Sequence, residues 1–327
     1  MKKLTLTLAV VFLTTVSIMP AHSTMKKLAQ TGLQFLKVDM SARAAAMGGA
    51  YLLVGKGANA MFYNPAGLAK MTTSFDFFAS QTQWLGDIKY NAVGLAKNMQ
   101  NWGSVGISAI YCDYGTIEGT QVSSNAQGYI ETGNVDVGAF TVGLSYAKEL
   151  TNKFSVGGQV KWVSQHLGES MLNDSSTVKN RVSGVAYDFG TIFYPGFKSF
   201  RFGMSIRNFS SELKYQQEGF QLPLTFSIGI AMDVLDFLGE HNDALTIAID
   251  ALHPRDYSER LHFGAEYLFR NMFALRAGYK MNYDEENLTL GIGFNYKVGG
   301  VSLKIDYAYA SFGVFSSVNR FSVGFAF

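Results

Sequence analysis

The feature that most constrains this chain is a two-residue alternation of apolar and polar side chains in segments of about ten residues. Between residues 287 and 297, leucine, isoleucine, phenylalanine and tyrosine alternate with threonine, glycine, asparagine and lysine, and the pattern recurs at 200–207, 224–233 and 301–309. Alternate side chains of a strand point to opposite faces of its sheet. Each segment is therefore predicted to be a strand with one apolar face.

Segment length separates two kinds of β-protein. A soluble sandwich and a membrane barrel both show alternation, but a tilted strand needs about 9–11 residues to cross a bilayer, whereas strands of soluble proteins usually have about five or six. The apolar faces are rich in phenylalanine, tyrosine, leucine and isoleucine, and the opposite faces carry glycine, serine, threonine and scattered charge. These observations favour an antiparallel transmembrane β-barrel with a polar lumen.

The alternation predicts about fourteen strands, at 73–83, 89–98, 103–112, 135–148, 153–164, 184–194, 200–209, 222–233, 244–252, 259–269, 272–281, 287–297, 301–309 and 319–327. Connections alternate between short turns and longer polar loops, among them 113–134 and 165–183; one turn, 234–243, is expected to contain a helical turn near Val234. Short periplasmic turns and long outer loops are typical of outer-membrane barrels. We therefore expect the outer membrane of a Gram-negative bacterium, with both termini periplasmic.

The last predicted strand carries a separate signal. Phe321, Val323, Phe325 and the terminal Phe327 alternate with small residues. This end is similar to the C-terminal signal that the insertion machinery of bacterial outer membranes recognises. We expect these four residues to direct insertion, although an ordinary apolar edge strand is the alternative.

Residues 1–23 are predicted to be an export signal. Lys2 and Lys3 precede an apolar run from Leu4 to Ile18, and an Ala-x-Ser cleavage pattern ends at Ser23. The run is shorter than the roughly 20 residues of a membrane-spanning helix, which is the reason to prefer a signal over a retained anchor.

Residues 24–72 have a different composition from the barrel. Between Ala42 and Ala69, 14 of 28 residues are glycine or alanine, which suits a segment packed in a confined space. A barrel of fourteen strands encloses more room than its inward side chains fill, whereas about eight strands would fill it. We expect an N-terminal hatch in the lumen ahead of a barrel at 73–327; a periplasmic extension is the alternative.

Two motifs in this region carry a family resemblance. Residues 41–50, SARAAAMGGA, and 61–69, MFYNPAGLA, resemble the N-terminal signature of the PorV/PorQ family, within the wider FadL-like outer-membrane proteins. Trp84-Leu85 resembles a Trp-Leu element of that family. The resemblance implies a FadL-like barrel of fourteen strands with a hatch, associated with type IX secretion.

The residues expected to form the hatch motif are Arg43, Gly48, Gly49, Asn64, Pro65, Ala66 and Gly67. Proline fixes its own φ and pushes the preceding residue to extended geometry, and an asparagine amide bonds nearby backbone. Asn64-Pro65 is therefore predicted to hold a fixed turn, with a ligand-contacting role as the alternative. Trp84 and Leu85 are candidate partner-binding residues.

No catalytic, cofactor-binding or metal-binding constellation is evident, and we expect no enzyme. The two lysines of the signal leave 25 basic and 25 acidic residues, so no basic surface indicates nucleic acid. Twelve titratable residues fall on the lumen phase of the strands: Lys161, Asp188, Arg201, Arg207, Asp233, Asp250, His262, Glu266, Arg276, Lys280, Lys304 and Asp306. Their mixed signs predict ion pairs that anchor the hatch; a polar permeation path is the alternative.

Three functions remain open. By resemblance, the chain would receive cargo from the type IX translocon by binding cargo C-terminal domains at outer loops, with 119–127 and 168–174 polar enough to order on binding. The second is a FadL-like channel for a hydrophobic ligand, in which Gly103 and Gly106 could kink the third strand. The third is a structural barrel. The remaining expected partners are outer-membrane lipid and the insertion machinery.

Overall fold

The computed structural model describes residues 31–171, 176–238 and 242–327. The predicted export signal, and residues 24–30 of the predicted hatch, lie outside the described residues. A closed antiparallel barrel of fourteen strands accounts for most of the chain, and this prediction is confirmed.

The barrel strands carry apolar residues outward and polar or small residues inward, as predicted. They are β1 (Phe75–Gln83), β2 (Lys89–Asn98), β3 (Ser104–Asp113), β6 (Val137–Thr151), β7 (Phe154–Met171), β8 (Thr177–Phe193), β9 (Arg201–Ser210), β12 (Thr225–Asp233), β13 (Ala244–Pro254), β14 (Arg260–Phe269), β15 (Phe273–Met281), β16 (Glu286–Val298), β17 (Val301–Phe312) and β18 (Val318–Ala326). In β16, for example, Leu290 and Ile292 are exposed whereas Thr289 is buried.

The barrel closes between its first and last strands. β1 pairs with β18 from Asp76 opposite Ala326 to Gln83 opposite Asn319. Phe75 and Phe327 then exchange two backbone hydrogen bonds, of 2.8 and 3.0 Å. The start of β1 and the end of the chain therefore lie at the same end of the barrel.

Two shorter hairpins lie outside the barrel sheet, in connections predicted to be loops. They are β4 (Ile117–Val122) with β5 (Tyr129–Val135), and β10 (Leu213–Lys214) with β11 (Gly219–Phe220). β7 and β8 also continue far into the predicted loop at 165–183. The alternation of apolar and polar residues did not predict these strands. Such alternation arises where one face of a strand contacts lipid, and a strand with water on both faces does not need one apolar face.

The connections fall into two sets at opposite ends. The short-turn end includes the turns at 152–153, 270–272 and 299–300, the start of β1 and Phe327; the long-loop end includes both hairpins and the loops at 84–88, 255–259, 282–285 and 313–317. At the short-turn end, the predicted helical turn near Val234 is present as a 3₁₀ helix, Val234–Phe237. Residues 239–241 of that connection lie outside the described part of the chain.

Gly103 and Gly106, which could allow a kink in the third strand, do not interrupt the pairing of that strand in the described barrel. Gly103, with φ +96°, precedes β3 in a turn. β3 then pairs with β2 and β6 without a register shift, and Gly106 faces the Met61 side chain in the lumen. Gly103 therefore allows the turn before β3, and Gly106 allows close contact with Met61.

The described helices are short. Helix α1, Ala42–Ala46, is the one α-helix among the described residues, and the 3₁₀ helices are Gln34–Lys37, Gly57–Phe62, Pro65–Lys70, Leu85–Asp87, Gln100–Trp102 and Val234–Phe237. No helix in the described ranges is long and apolar enough to cross a membrane.

Candidate functional site: the occupied lumen and the cavity at its long-loop end

Residues 31–72, called here the luminal segment, run through the interior of the barrel from one end to the other. The segment begins at the long-loop end, where Thr31 forms a parallel bridge with Gln221. It ends at the short-turn end, where Asn98 bonds the carbonyl of Met71 and Lys70 pairs with Glu149. Thr31 and Phe327 thus lie at opposite ends of the barrel. An even number of strands places the start of β1 and the end of β18 at the same end of the barrel, but it does not determine where the segment before β1 begins.

Helix α1 packs closely against β15 to β18. Ser41 caps the helix by accepting a hydrogen bond from the amide of Ala44 (3.4 Å), and the four alanines of the helix are buried. Alanine side chains are small enough to let the helix backbone approach the strands. The close packing of helix and strands explains why the segment is rich in alanine.

Gly48 and Gly49 follow the helix and have φ values of +63° and +75°, which favour glycine. The amide of Gly48 donates to the hydroxyl of Thr289 (2.9 Å), which in turn donates to the carbonyl of Ala46 (3.1 Å). A side chain at Gly278 of β15 would collide with the backbone of Gly48. Glycines on both sides therefore set how closely segment and barrel approach.

Asn64-Pro65 forms the turn that its sequence indicates. Asn64 is extended (φ −147°, ψ 104°), and its Oδ1 accepts a bond from the amide of Ala66 (3.1 Å) at the start of the Pro65–Lys70 helix. Its Nδ2 donates to the carbonyls of Leu52 (3.1 Å) and Thr191 (3.2 Å). The asparagine therefore joins two parts of the luminal segment to β8. Gly67 completes the turn by lying against Gly55 and Ala60.

A network of four charged side chains holds the middle of the segment. Arg43 makes two bonds to the carboxylate of Glu266, of 2.6 and 2.7 Å. Glu266 also pairs with Arg276 (2.5 Å), which reaches Asp306 (2.8 Å). Glu266 thus binds Arg43 bidentately, the strong form of such a pair.

A second group of charges holds the segment near the long-loop end. Lys280 pairs with Asp39 (2.8 Å) and with Glu286 (2.5 Å), and Lys37 lies 3.0 Å from the carboxylate of Asp256. Burial alone would raise the pKa of Asp39, but the charges of Lys280 and Arg320 outweigh it and hold the pKa well below its usual value. Asp39 is thus ionised throughout the ordinary pH range.

Nine of the twelve residues predicted to face the lumen are buried and three are half-buried. Besides the charged network, Arg201 donates to the carbonyl of Leu53 (2.8 Å), Arg207 donates to that of Phe62 (2.8 Å), and Asp250 accepts from the amide of Leu52 (2.9 Å). The structure does not bring all twelve to the segment, since Lys161 and Asp188 pair with each other (2.7 Å).

A cavity of about 400 Å³ lies between the luminal segment and the loops of the long-loop end. Trp84 and Leu85, the candidate partner-binding residues, line it, together with Tyr257, Tyr283 and Arg320. The last three were not predicted. Arg320 was identifiable in principle, because it continues the inward phase of Ser322 and Gly324, whereas the tyrosines lie in loops without periodicity.

The residues of the predicted insertion signal lie on the outer face of the last strand. Phe321 and Phe325 are exposed outward, and Phe325 packs on Phe77 with 6.3 Å between ring centroids. The ring of Phe327 stacks on that of Phe75 at 5.3 Å. No group of three or more metal-ligating side chains occurs within the described ranges.

The fold and these contacts define a fourteen-stranded outer-membrane β-barrel whose lumen is occupied by its own N-terminal segment. The chain belongs to the family described as type IX secretion system protein PorV, which matches residues 21–253. Family and fold together make it an outer-membrane β-barrel protein. No curated protein matches the chain.

Solved structures of FadL-type barrels share the fold. The CymD monoaromatic hydrocarbon channel has a TM-score of 0.58 at 14% identity, covering 89% of this chain and 98% of its own. The Pseudomonas putida toluene transporter TodX has a TM-score of 0.58 at 13% identity, with 87% and 96% covered. A Pseudomonas aeruginosa FadL homologue has 0.54 at 11%, with 88% and 98% covered. At these identities the likeness concerns the fold alone.

Proposed function

We propose that this protein is a non-enzymatic component of type IX secretion that binds the C-terminal domains of cargo at its long-loop end. The observation that carries the proposal is the contrast between the two ends. At one end the strands close in short turns. At the other, β7 continues beyond its last partner in β6, β8 begins well before its first partner in β9, and the β4–β5 hairpin stands apart.

The β4–β5 hairpin has the surface expected of a protein-binding element. Val122 is 90% exposed, and Ile117, Tyr129 and Ile130 are exposed beside it. Exposed apolar side chains outside the bilayer favour contact with another protein. Membership of the PorV family supports cargo as that protein.

The proposal includes an orientation and a role for the luminal segment. The long-loop end would face outward and the short-turn end the periplasm, as is usual for such barrels. This keeps Phe327 periplasmic as expected, whereas the N-terminus, also expected in the periplasm, lies outside the described residues. Residues 24–72 would be the predicted hatch, ahead of a barrel at 73–327, with residues 43, 48, 49 and 64–67 as its fixed points. Trp84 and Leu85 would contact the partner at the cavity.

The second candidate is a channel for hydrophobic small molecules, which the aromatic lining of the cavity favours. The luminal segment argues against free passage, because its contacts extend from the long-loop end to the short-turn end and include buried ion pairs. A channel would require this segment to move.

A pull-down tests the two candidates. The detergent-purified protein is incubated with a cargo C-terminal domain, beside a variant in which a short Gly-Ser turn replaces residues 117–134. We expect the wild type to retain the domain and the variant to lose it. The matched control replaces Gly299-Gly300 at the other end and should retain binding. Absence of wild-type retention, together with uptake of toluene into liposomes containing the protein, would favour the channel.

A further inference from the structure

The cavity at the long-loop end, called here the loop-end cavity, is lined by aromatic side chains and by residues of the luminal segment. Trp84, Tyr90 and Phe312 line one side, and Gly49 and Tyr63 of the luminal segment lie beneath them. Its volume, about 400 Å³, is in the range of sites for organic ligands. The cavity is therefore suited to a ligand with both apolar and polar groups.

Arg320 is the most buried charge in this wall, with 1% of its surface exposed. Its Nε donates to the carbonyl of Asp39 (3.1 Å), and its guanidinium lies 5.5 Å from the ring centre of Trp84. Its terminal NH1 is buried and has no hydrogen-bond partner in the described ranges. A buried cationic N–H without an acceptor is costly, so its presence at a cavity points to an acceptor in a ligand.

Arg260 also lines the cavity and lies against aromatic rings. Its guanidinium lies 3.9 Å from the ring centre of Tyr283 and 4.2 Å from that of Tyr257. Its Nε is also buried and has no hydrogen-bond partner among the residues that the structure describes. Two arginines that line one cavity thus each carry a buried N–H without an acceptor among the described residues.

The lysines of the cavity are already occupied. Lys280 pairs with Asp39 and Glu286, and Lys37 pairs with Asp256. Among the described arginines and lysines that line the cavity, Arg260 and Arg320 are therefore the ones with a buried N–H that lacks an acceptor. The planar fork of arginine matches the geometry of a carboxylate.

The residues that line the cavity also favour a peptide carboxylate over the carboxylate of a fatty acid. Gln34 and Glu285 line the cavity, and their side-chain oxygens can accept hydrogen bonds from the amides of a peptide. A long acyl chain would lie against the same oxygens without satisfying them, and the luminal segment closes the way to a deeper apolar tunnel. A peptide end fits this mixture of aromatic and polar groups better than a fatty acid.

We propose that the loop-end cavity binds the C-terminal carboxylate of an extended peptide, with Arg320 and Arg260 as the groups that hold it. The inference rests on the proposed function, because it names the part of the cargo that enters the barrel. The aromatic wall would receive the last apolar side chains, and the carboxylate would supply the acceptors that the arginines lack.

Fluorescence anisotropy with a fluorescein-labelled pentapeptide ending in Leu-Val tests the inference on the full-length protein in detergent. The peptide is prepared with a free C-terminal carboxylate and as the C-terminal amide. We expect the amide to bind about tenfold more weakly or worse, since it lacks the charge of the carboxylate. Arg260→Gln and Arg320→Gln should each remove most of this preference.

Arg255→Gln is the matched control, because Arg255 belongs to the same loop as Tyr257 and does not line the cavity. Should Arg320→Gln fail to fold, Arg260→Gln, whose side chain is only half-buried, still tests the site. Equal affinity of acid and amide for the wild type would overturn the inference. Displacement of the peptide by oleate at lower concentration than by unlabelled peptide would overturn it as well, in favour of a lipid site.

The outcomes separate this inference from the proposed function. Retention of a cargo C-terminal domain with unchanged affinity in both arginine variants would overturn the carboxylate site and leave cargo binding intact. Carboxylate-dependent binding of the peptide without retention of the domain would support the site and contradict docking of the folded domain.

Discussion

Arg43 of the luminal segment and Glu266 of β14 meet inside the barrel through two hydrogen bonds of 2.6 and 2.7 Å. They are separated by 223 residues in sequence, and Glu266 is almost fully buried. The pair therefore fixes the position of a segment that carries few regular hydrogen bonds of its own.

Replacing Arg43 by alanine should destabilise the protein, because it leaves Glu266 with one cationic partner in place of two. Removal of one partner from a buried ion pair costs about 3–5 kcal/mol, and Arg276 should keep the loss at or below the lower end of that range. Guanidinium unfolding in detergent measures the difference. Lys179→Ala is the control, since Lys179 and Glu169 form an exposed pair at 3.5 Å and should contribute less than about 1 kcal/mol. Equal effects of the two substitutions would contradict an anchoring role for Arg43.

Two strand glycines, Gly278 on the inner face and Gly158 on the outer face, yield a prediction about closure of the lumen. A Cβ at Gly278 would lie on the backbone of Gly48, whereas a Cβ at Gly158 would meet its nearest neighbour at 3.7 Å. Gly278→Ala should therefore displace the luminal segment, and Gly158→Ala should leave it in place. Single-channel conductance in planar bilayers measures this: we expect open events in the first variant and closed traces in the second and in the wild type. Conductance of the wild type equal to that of Gly278→Ala would show that the segment does not close the barrel.

The barrel was largely predictable from the sequence, because lipid imposes a two-residue alternation on every strand that crosses the membrane. The same alternation predicted which charged residues face the lumen, and Glu266, Arg276 and Asp306 do form a network there. What alternation could not reveal is the water-exposed β4–β5 hairpin, or the cavity residues Tyr257 and Tyr283. These positions depend on contacts between loops distant in sequence, which no local pattern records.

The charge of Asp39 predicts how stability depends on pH. Its pKa is held below its usual value in the folded protein, so its contribution is fully present above the unfolded pKa of about 3.9 and is lost as pH falls through the folded pKa. Asp39→Asn should therefore be less stable than the wild type by a constant amount between pH 8 and pH 5, and the difference should shrink below about pH 4. Guanidinium unfolding at several pH values measures it. The control is Asp136→Asn, because Asp136 is 93% exposed and should contribute little at any pH. A difference between Asp39→Asn and wild type that grows as pH falls would contradict the ion pair with Lys280.

The terminal residue provides a prediction about assembly. Deleting Phe327 removes two backbone hydrogen bonds to Phe75 and the stacking of the two rings. Each net hydrogen bond contributes about 1 kcal/mol, so the finished barrel should tolerate the loss, whereas recognition of the aromatic end during insertion should not. We expect the deletion to reduce the folded, heat-modifiable band in outer-membrane fractions severalfold, and to leave the stability of barrel refolded in detergent within about 3 kcal/mol of the wild type. Val314→Ala, an exposed substitution in the last loop, serves as the control for expression. Normal amounts of the deleted protein in the outer membrane would show that Phe327 is only part of an edge strand.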